Sequence, residues 1–479
     1  MATPIPTNMA TFTLDELVLA TGAELRGAKD CLVRGVTTDS RINVAAKLFV
    51  ALSGDRFDGH DYLNDAVAQG ASAVMVDREP ISDLPVPILR VASTIRALGD
   101  IARFHRNRWP GIVVAIAGSA GKTTTRVACQ SLLETTHPGK VLGTFGNLNN
   151  QIGVPMTLLR LTDEHDYAVV EVGTNSPGEV KRLADVCRPN VAVLTLIGLE
   201  HAEGLGDIDD IECEEGDILE GLKVGAIAVG NGDDSRVIRQ MTGRASNSRR
   251  VTYGTHRAVD YYVTQQLSPS LDRSTITIER SQAAHGGQLS LESRLLGTPG
   301  ALAVTAALAV VESLGIAVDQ DVAQTAFMRE HLGEQGRLQC VMLDGGIIVL
   351  DDSYNANPPS MASSIAVATE LARCQKARLV LVLGEMLELG ALSEREHRLL
   401  GTKLDAASQL IAVGSQARAL FDSARSAGVP SEFCADAEDA AQSVARLAQS
   451  GDVVLVKGSR GVRLERVVQT LVNLKGYAA

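Results

Sequence analysis

The stretch Ile112 to Thr125 leaves few folds open to this chain, because an apolar, largely β-branched run, Ile112 to Ala117, passes directly into Gly118-Ser119-Ala120-Gly121-Lys122-Thr123-Thr124. That order is the one expected of a buried strand turning through a phosphate-binding loop into a helix. The glycines let backbone amides close on phosphate oxygens, Lys122 adds a positive charge, and the Thr123 hydroxyl suits the magnesium that accompanies a nucleotide. Where the standard phosphate loop carries its first glycine this chain has Ile116, so the loop is a shortened variant. A chance Gly-Lys-Thr at a helix start is the plain alternative.

A length of 479 residues exceeds one ordinary core and predicts about three domains, which a hydrophobic content of 45% can fill. Lys and Arg total 45 against 57 Asp and Glu, a net charge of -12. That balance argues against a nonspecific nucleic-acid or anionic-membrane surface and leaves room only for local anion sites. Met1 to Ala10 lacks a basic segment followed by an apolar one, and no later run is apolar enough to cross a bilayer. The expectation is a soluble, cytoplasmic protein. Its 7 cysteines form no Cys-x-x-Cys, so reduced structural thiols are expected.

Ahead of the loop, strand-like runs (Lys47 to Leu52, Ala73 to Val76, Pro87 to Val91) alternate with helical ones (Leu14 to Thr21, Tyr62 to Gln69). The polar clusters there, Thr38-Asp39-Ser40-Arg41 and Gly54-Asp55-Arg56-Phe57-Asp58-Gly59-His60, read as ordinary turns when taken alone. Behind the loop, strands at Tyr167 to Val172, Val191 to Ile197 and Ala226 to Val229 alternate with helices at Gly178 to Val186 and Ile208 to Leu222. This predicts a parallel sheet whose ligand edge lies at the strands' C-terminal ends. Glu171 ends one of those strands and His201 follows another, beside the loop, which makes both candidates for magnesium; a solvated carboxylate and a core histidine are the alternatives.

Arg250 to Ser293 reads as a strand-rich insertion, Ala301 to Leu314 as a helix, and Gly333-Glu334-Gln335-Gly336-Arg337 as a domain-boundary linker. Strands at Gly346 to Leu350, Arg378 to Leu383, Leu410 to Val413 and Val453 to Val456 then predict a second doubly wound domain without a phosphate loop. Polar clusters follow three of these strands, either as ligand contacts or as loop caps. They are Asp351-Asp352-Ser353-Tyr354-Asn355-Ala356-Asn357-Pro358, Gly384-Glu385-Met386-Leu387-Glu388-Leu389-Gly390 and Lys457-Gly458-Ser459-Arg460.

Taken together with Gly146-Asn147-Leu148-Asn149-Asn150-Gln151-Ile152-Gly153-Val154-Pro155 and the shortened loop, these motifs resemble one family, the Mur ligases, ATP-dependent amide-forming enzymes of bacterial cell-wall precursor synthesis. The likeness runs from about Thr38 to the C-terminus, apart from the strand-rich segment. It implies an α/β protein of three domains: a UDP-sugar domain over residues 1–92, a central ATPase domain over 93–333, and a C-terminal Rossmann-like domain over 334–479.

The resemblance implies ATP and magnesium as cofactors, and UDP-N-acetylmuramoyl-tripeptide and D-alanyl-D-alanine as substrates. It puts Gly118 to Thr124 on the phosphates, Thr123, Glu171 and His201 around magnesium, Arg337 near the phosphates, and Asp352 on the ribose, with Asn355 and Asn357 in the same nucleotide loop. Ser40, Arg41 and the Asp58-Gly59-His60 loop fall to the uridine end, and Asn147, Asn149 and Asn150 to the sugar and peptide, with helix capping the rival role for Asn147. Lys457 and Arg460 are placed on the dipeptide carboxylate, a match that suits arginine best.

Two departures stand out. The family's Gly-x-His-Asn-x-x-Asn, which helps hold adenine, is here Gly297-Thr298-Pro299-Gly300-Ala301-Leu302-Ala303. This implies an adenine held by apolar contact and the Asp352 to Asn357 loop. The family's Ala-Lys-Gly-Glu has become Glu214-Glu215-Gly216-Asp217, so the lysine normally carbamylated is absent. Glu215 is expected to supply that negative charge at the metal, with Glu212 on the same helical face sharing the task; a solvated acidic face is the alternative. Other Mur or folylpolyglutamate-type ligases, and a catalytically impaired nucleotide- or UDP-sugar-binding relative, remain competing readings.

Overall fold

The computed structural model describes residues 4–28, 30–54, 57–81, 83–267, 272–284, 286–330 and 332–476. Asp55 and Arg56 of the first glycine-rich turn lie outside the described residues. The chain is organised on three sheets, and the strand-helix alternation read from the sequence accounts for most of each.

The first sheet has five strands in the order Glu24–Arg26, Ile88–Arg90, Ala73–Val76, Leu48–Val50, Val36–Thr37, parallel apart from the first pairing. Its helix Leu14–Thr21 begins where the Thr13 side chain accepts from Glu16 N while Glu16 accepts from Thr13 N, and it stops at Gly22 with φ 69°. The helix Thr94–Arg108 joins this unit to the next, since Leu98, Ile101 and Ala102 share one core with Leu48, Met75, Val113 and Leu194. Arg106 ties the same seam from inside. Its guanidinium donates to the carbonyls of Cys187 (3.1 Å) and Trp109 (3.0 Å) and to Asn190 Oδ1 (3.0 Å), and it lies over the Trp109 ring.

The second sheet has nine strands, ordered Val141–Gly143, Tyr167–Glu171, Ile112–Ala117, Val191–Leu194, Ile227–Asn231, Arg249–Gly254, Tyr261–Leu267, Ser274–Arg280, Gln288–Ser293. Strand Ile112–Ala117 has Tyr167–Glu171 on one side and Val191–Leu194 on the other, so the connections diverge there and leave a crevice at its C-terminal end. The segment expected as an insertion is instead the antiparallel end of this same sheet. It reads as polar because only alternate residues, among them Tyr261, Val263, Ile276, Ile278, Leu289 and Leu291, face the core.

Over that face lies the helix Gly297–Ser313, which starts earlier than the expected Ala301. It is apolar on every side because it is buried between the sheet and the helix Lys122–Thr136. The helix expected over Ile208 to Leu222 ends at Gly216 and tightens into a 3₁₀ turn, Asp217–Gly221. A Cβ at Gly221 would stand 2.8 Å from the Ala184 side chain.

The third sheet has six strands, ordered Gln339–Leu343, Ile347–Asp352, Val453–Lys457, Leu379–Gly384, Gln409–Val413, Ser431–Cys434, parallel except for its first hairpin, with an apolar core on each face. All three polar clusters leave its strands at their C-terminal ends. The cysteines are free, and Cys213 and Cys374 are exposed. Among the described residues no helix is long and apolar enough to cross a membrane.

Replacing Arg106 by methionine takes the guanidinium from the carbonyls of Cys187, Trp109 and Arg188, while Asn190 Oδ1 keeps the Val113 amide, a loss on the order of 2–3 kcal/mol. The expected outcome is a melting temperature lowered by several degrees with phosphate-loop function per folded molecule retained. An unchanged melting curve would show that the seam does not depend on this guanidinium.

Candidate active site

The phosphate loop leaves strand Ile112–Ala117 at the crevice. Gly118 is required there: its φ is 123°, and a Cβ would stand 2.3 Å from Thr195 Oγ1. Gly121, with φ 87°, starts the helix whose first residues are Lys122 and Thr123. The Thr195 hydroxyl donates to Ala120 O (2.7 Å), and Ser119 Oγ accepts from Gly198 N (3.0 Å), which fixes the loop's outward turn.

A cavity of about 270 Å³ opens above it, lined by Ser119, Ala120, Gly121, Lys122, Thr123, Thr124, Asn147, Asn149, Asn150, Glu171, His201, Arg337, Asn355 and Asn357. Most of the residues singled out from the sequence therefore meet at one place. Thr123 Oγ1 lies 3.2 Å from Glu171 Oε1, to which Asn149 also donates at 2.8 Å. Glu171 Oε2 is buried and accepts no hydrogen bond.

Lys122 sits among carboxylates. Its ammonium donates to Gly118 O (2.5 Å), lies 3.4 Å from both oxygens of Glu200, and is 3.9 Å from Glu215 Oε1. Burial would lower its pKa, but Glu200, Glu215 and Glu171 hold it above the ordinary lysine value. Glu200 is pushed well above the carboxylate range, by burial first and then by the Glu215 charge. The sequence reading passed over Glu200, although its place beside His201 in a loop after a sheet strand was a usable signal. It also passed over Arg126, one turn beyond Thr123, which pairs with Glu334 and lies 3.7 Å from Glu171.

Several expectations are corrected. Glu212, Glu214 and Glu215 are 4%, 6% and 0% exposed, so the run is not a solvated acidic face. Nor does Glu212 share a task with Glu215: it accepts from Arg239 (2.6 Å) and Gln240 (2.8 Å) on another helix. Glu214 takes the amides of Gly178 and Val180. Glu215 lies under the loop, where Oε2 accepts from Gly118 N at 2.6 Å while Oε1 is buried without a hydrogen bond.

His201, held at φ 46°, turns its ring to Glu388 of the third sheet. Consequently Glu171, His201 and Glu215 do not converge, and the described residues contain no group of three or more histidine, cysteine, aspartate or glutamate side chains placed to hold a metal ion between them. Lys457 and Arg460 are also separated. Lys457 is the cross-strand neighbour of Asp352 and spends its buried ammonium on Asp352 (2.6 Å) and Asn355 O (3.0 Å); burial lowers its pKa against that pairing. Arg460, past the turn, lies over the Tyr354 ring.

Two further cavities flank the first. One of about 300 Å³ is lined by Leu295, Leu296, Pro299, Leu338, Asp352 and Lys457 and shares Gly121, Thr124 and Arg337 with the loop cavity. The other, of about 810 Å³, holds Arg460 and shares Tyr354. The third-sheet unit meets the loop directly, because Asn357 Nδ2 donates to Ser119 O (3.0 Å), and it meets the segment after His201 where Glu203 N donates to Glu388 O (3.0 Å).

In the first unit a cleft of about 740 Å³ is lined by Thr38, Asp39, Ser40, Arg41, Phe49, Phe57 and Tyr62, and by Ile152 and Met156 of the second. Asp58, Gly59 and His60 do not line it. His60 is wedged between Asp58 and Asp77, and a Cβ on Gly59 would meet Leu52 N at 2.8 Å. Asn150 Oδ1 accepts from Ile152 N and Gly153 N at the entry to the helix Gly153–Leu158.

A phosphate loop facing a doubly wound third sheet, with a separate cleft in front, defines a nucleotide-dependent enzyme that brings several substrates to one point. The sequence matches the descriptions "Mur ligase family, catalytic domain" over residues 32–106, "Mur ligase middle domain" over 116–311 and "Mur ligase, glutamate ligase domain" over 336–460. It is 35% identical to the UDP-N-acetylmuramoyl-tripeptide--D-alanyl-D-alanine ligase of Escherichia coli over 97% of this chain and 99% of that one. To the Bacillus subtilis protein of the same name it is 31% identical, over 92% and 94%. The crystal structure of MurF from Acinetobacter baumannii superposes with a TM-score of 0.85 at 28% identity, covering 98% of this chain and 100% of that one. MurF ligase from Thermotoga maritima in complex with ADP gives 0.79 at 26%, covering 91% and 97%. The chain belongs to the Mur ligase family.

Asp58 supplies a pH test of the first unit. Burial would raise its carboxyl, but hydrogen bonds from Arg78, His60 and Ser53 hold it well below the usual carboxylate range. A depressed folded pKa contributes stability above the unfolded value that is lost as pH falls through the folded one. Asp58→Asn is expected to lower the melting temperature at pH 7, with the gap to wild type closing as the pH drops below about 4. A gap constant with pH would refute the role of that charge.

Proposed function

We propose that this chain joins D-alanyl-D-alanine to UDP-N-acetylmuramoyl-tripeptide at the expense of ATP, a cytoplasmic step of peptidoglycan precursor synthesis. The observation that carries the reading is the segment Asn147 to Met156. Its asparagines line the loop cavity while Ile152 and Met156 line the cleft of the first unit. A substrate seated by its uridine end at Ser40 and Arg41 is thereby led to the phosphate loop. On this reading the chain divides into residues 1–92, 93–333 and 334–479.

A carboxylate does not accept an amine at neutral pH, so the tripeptide's terminal carboxylate first takes the γ-phosphoryl group of ATP, giving an acyl phosphate that the dipeptide amine attacks with loss of phosphate. The obstacle is repulsion between carboxylate and triphosphate. Lys122 and the amides of Ser119 to Thr124 lower it by meeting the oxygens on which charge accumulates. Arg337, its guanidinium stacked over Tyr354 at 4.2 Å, faces the same cavity from the boundary segment. Asp352 and the apolar wall of Leu295, Leu296 and Pro299 take the nucleoside, with Asn355 and Asn357 beside the phosphates.

The donors present fit magnesium. Thr123 and Glu171 offer a hydroxyl and a buried carboxylate oxygen with no hydrogen bond, side by side at the loop. Bound there, magnesium would neutralise phosphate oxygens. Glu215 contributes a fixed negative charge beneath the loop, where its hydrogen bond to Gly118 N sets the loop's height.

Phosphate release measured with the UDP-linked tripeptide is expected with D-alanyl-D-alanine and not with a free amino acid. Lys122→Ala is expected to lower it by a factor on the order of 10² or more per folded molecule, and also to lower the melting temperature, because Glu200 and Glu215 lose the cation they are buried against. Near-normal turnover in that variant would overturn the assignment of the ATP site. Turnover should also be indifferent to added or stripped bicarbonate, since a glutamate needs no carbon dioxide to carry its charge. Glu215→Gln, which keeps an acceptor for Gly118 N but loses the charge, is expected to lose most turnover; full activity would remove Glu215 from the machinery.

A further inference from the structure

The cavity of about 810 Å³ between the second and third sheets is unusual in its unpaired charges of both signs. Arg160 follows the short helix Gly153–Leu158 and is half-buried on the cavity wall, and the described residues give its guanidinium no ion pair and no side-chain hydrogen bond. Most arginines of this chain with comparable burial are paired, as Arg126 is to Glu334 and Arg244 to Asp217. From the third sheet comes the opposite sign. Glu465 lines the cavity with Oε2 buried and without a hydrogen-bond partner, next to Asp351. A half-buried cation and an orphaned carboxylate oxygen lining one cavity are each costly unless a ligand completes them.

We propose that this cavity is the seat of a zwitterionic acceptor, with Arg160 taking its carboxylate and Glu465 its ammonium, the Glu465 carboxylate accepting the proton that the ammonium gives up before the free amine attacks. The inference rests on the ligase reading and deepens it by naming residues for the incoming dipeptide. Dimensions and position agree with that use. The volume leaves room for a dipeptide, and Tyr354 lines both this cavity and the phosphate-loop cavity, so an amine leaving Glu465 has that ring between it and an acyl phosphate. Arg460, with its guanidinium 5.0 Å from the Tyr354 ring, holds this partition instead of the far end of the dipeptide. Arg160 is thus a binding residue for the dipeptide and takes no part in phosphoryl transfer.

The test compares D-alanyl-D-alanine with its C-terminal amide in the full chain, reading phosphate release at saturating ATP and UDP-linked tripeptide. Wild type is expected to prefer the acid by a factor on the order of 10 to 100 in kcat/KM. Arg160→Ala should raise the KM for the acid by a similar factor, leave the KM for ATP within about twofold, and abolish the acid-over-amide preference. Arg160→Lys should restore part of it, and Glu465→Gln should raise the KM for both forms alike. If Arg160→Ala keeps the wild-type preference with a normal KM for ATP, the subsite is overturned while the ligase reading stands. If wild type releases no phosphate in response to the dipeptide, the ligase reading falls and the subsite with it.

Discussion

The interaction on which the site depends is that of one buried ammonium with the carboxylates around it. Lys122 is surrounded by Glu200, Glu215 and Glu171, and without nucleotide those groups are its partners. Removing the ammonium would leave several negative charges facing one another out of water, a situation proteins avoid by protonation or rearrangement. The carboxylates in turn are what keep a lysine charged at so buried a place. Glu215 has a further hold on the loop through the Gly118 amide, so the backbone that receives phosphate and the cation that neutralises it are fixed by one side chain.

Around that centre the third sheet contributes by contact with the loop. Asn357 caps its own helix, Pro358–Gln375, through Ser360 N and also donates to Ser119 O, so a single amide serves local structure and the junction between sheets. His201 and Glu388 meet across the same junction, both in the left-handed backbone region that non-glycine residues seldom occupy. Two conformationally costly residues held against each other mark a place where the arrangement of the sheets is set by tertiary contact and not by local preference.

Much of this was legible in the sequence. The strand, the shortened loop, Glu171 at a strand end and the clusters after the third sheet's strands follow from a period-2 or continuous apolar pattern with small residues behind it. The edge strands Val141–Gly143 and Gln339–Leu343 were missed because partial burial leaves them no clear pattern. Contacts set by tertiary placement were also beyond reach. Nothing local tells that Glu212 turns to Arg239, that Lys457 is spent on Asp352, or that His201 faces Glu388. Glu200 escaped because a buried carboxylate gains its meaning from Lys122, far away along the chain. The family resemblance supplied roles for many residues, yet it could not say which would be occupied by neighbours of their own.

The chain contains 1 tryptophan, and its position gives the protein a built-in optical probe. Trp109 is buried at the seam of the first two units, under the Arg106 guanidinium, and its indole N–H donates to the carbonyl of His165 at 2.9 Å. His165 lines the cavity that carries Arg160. With no second indole to dilute the signal, emission wavelength and quenching in this protein report on that one wall, in unmodified material and on the millisecond scale of a stopped-flow trace.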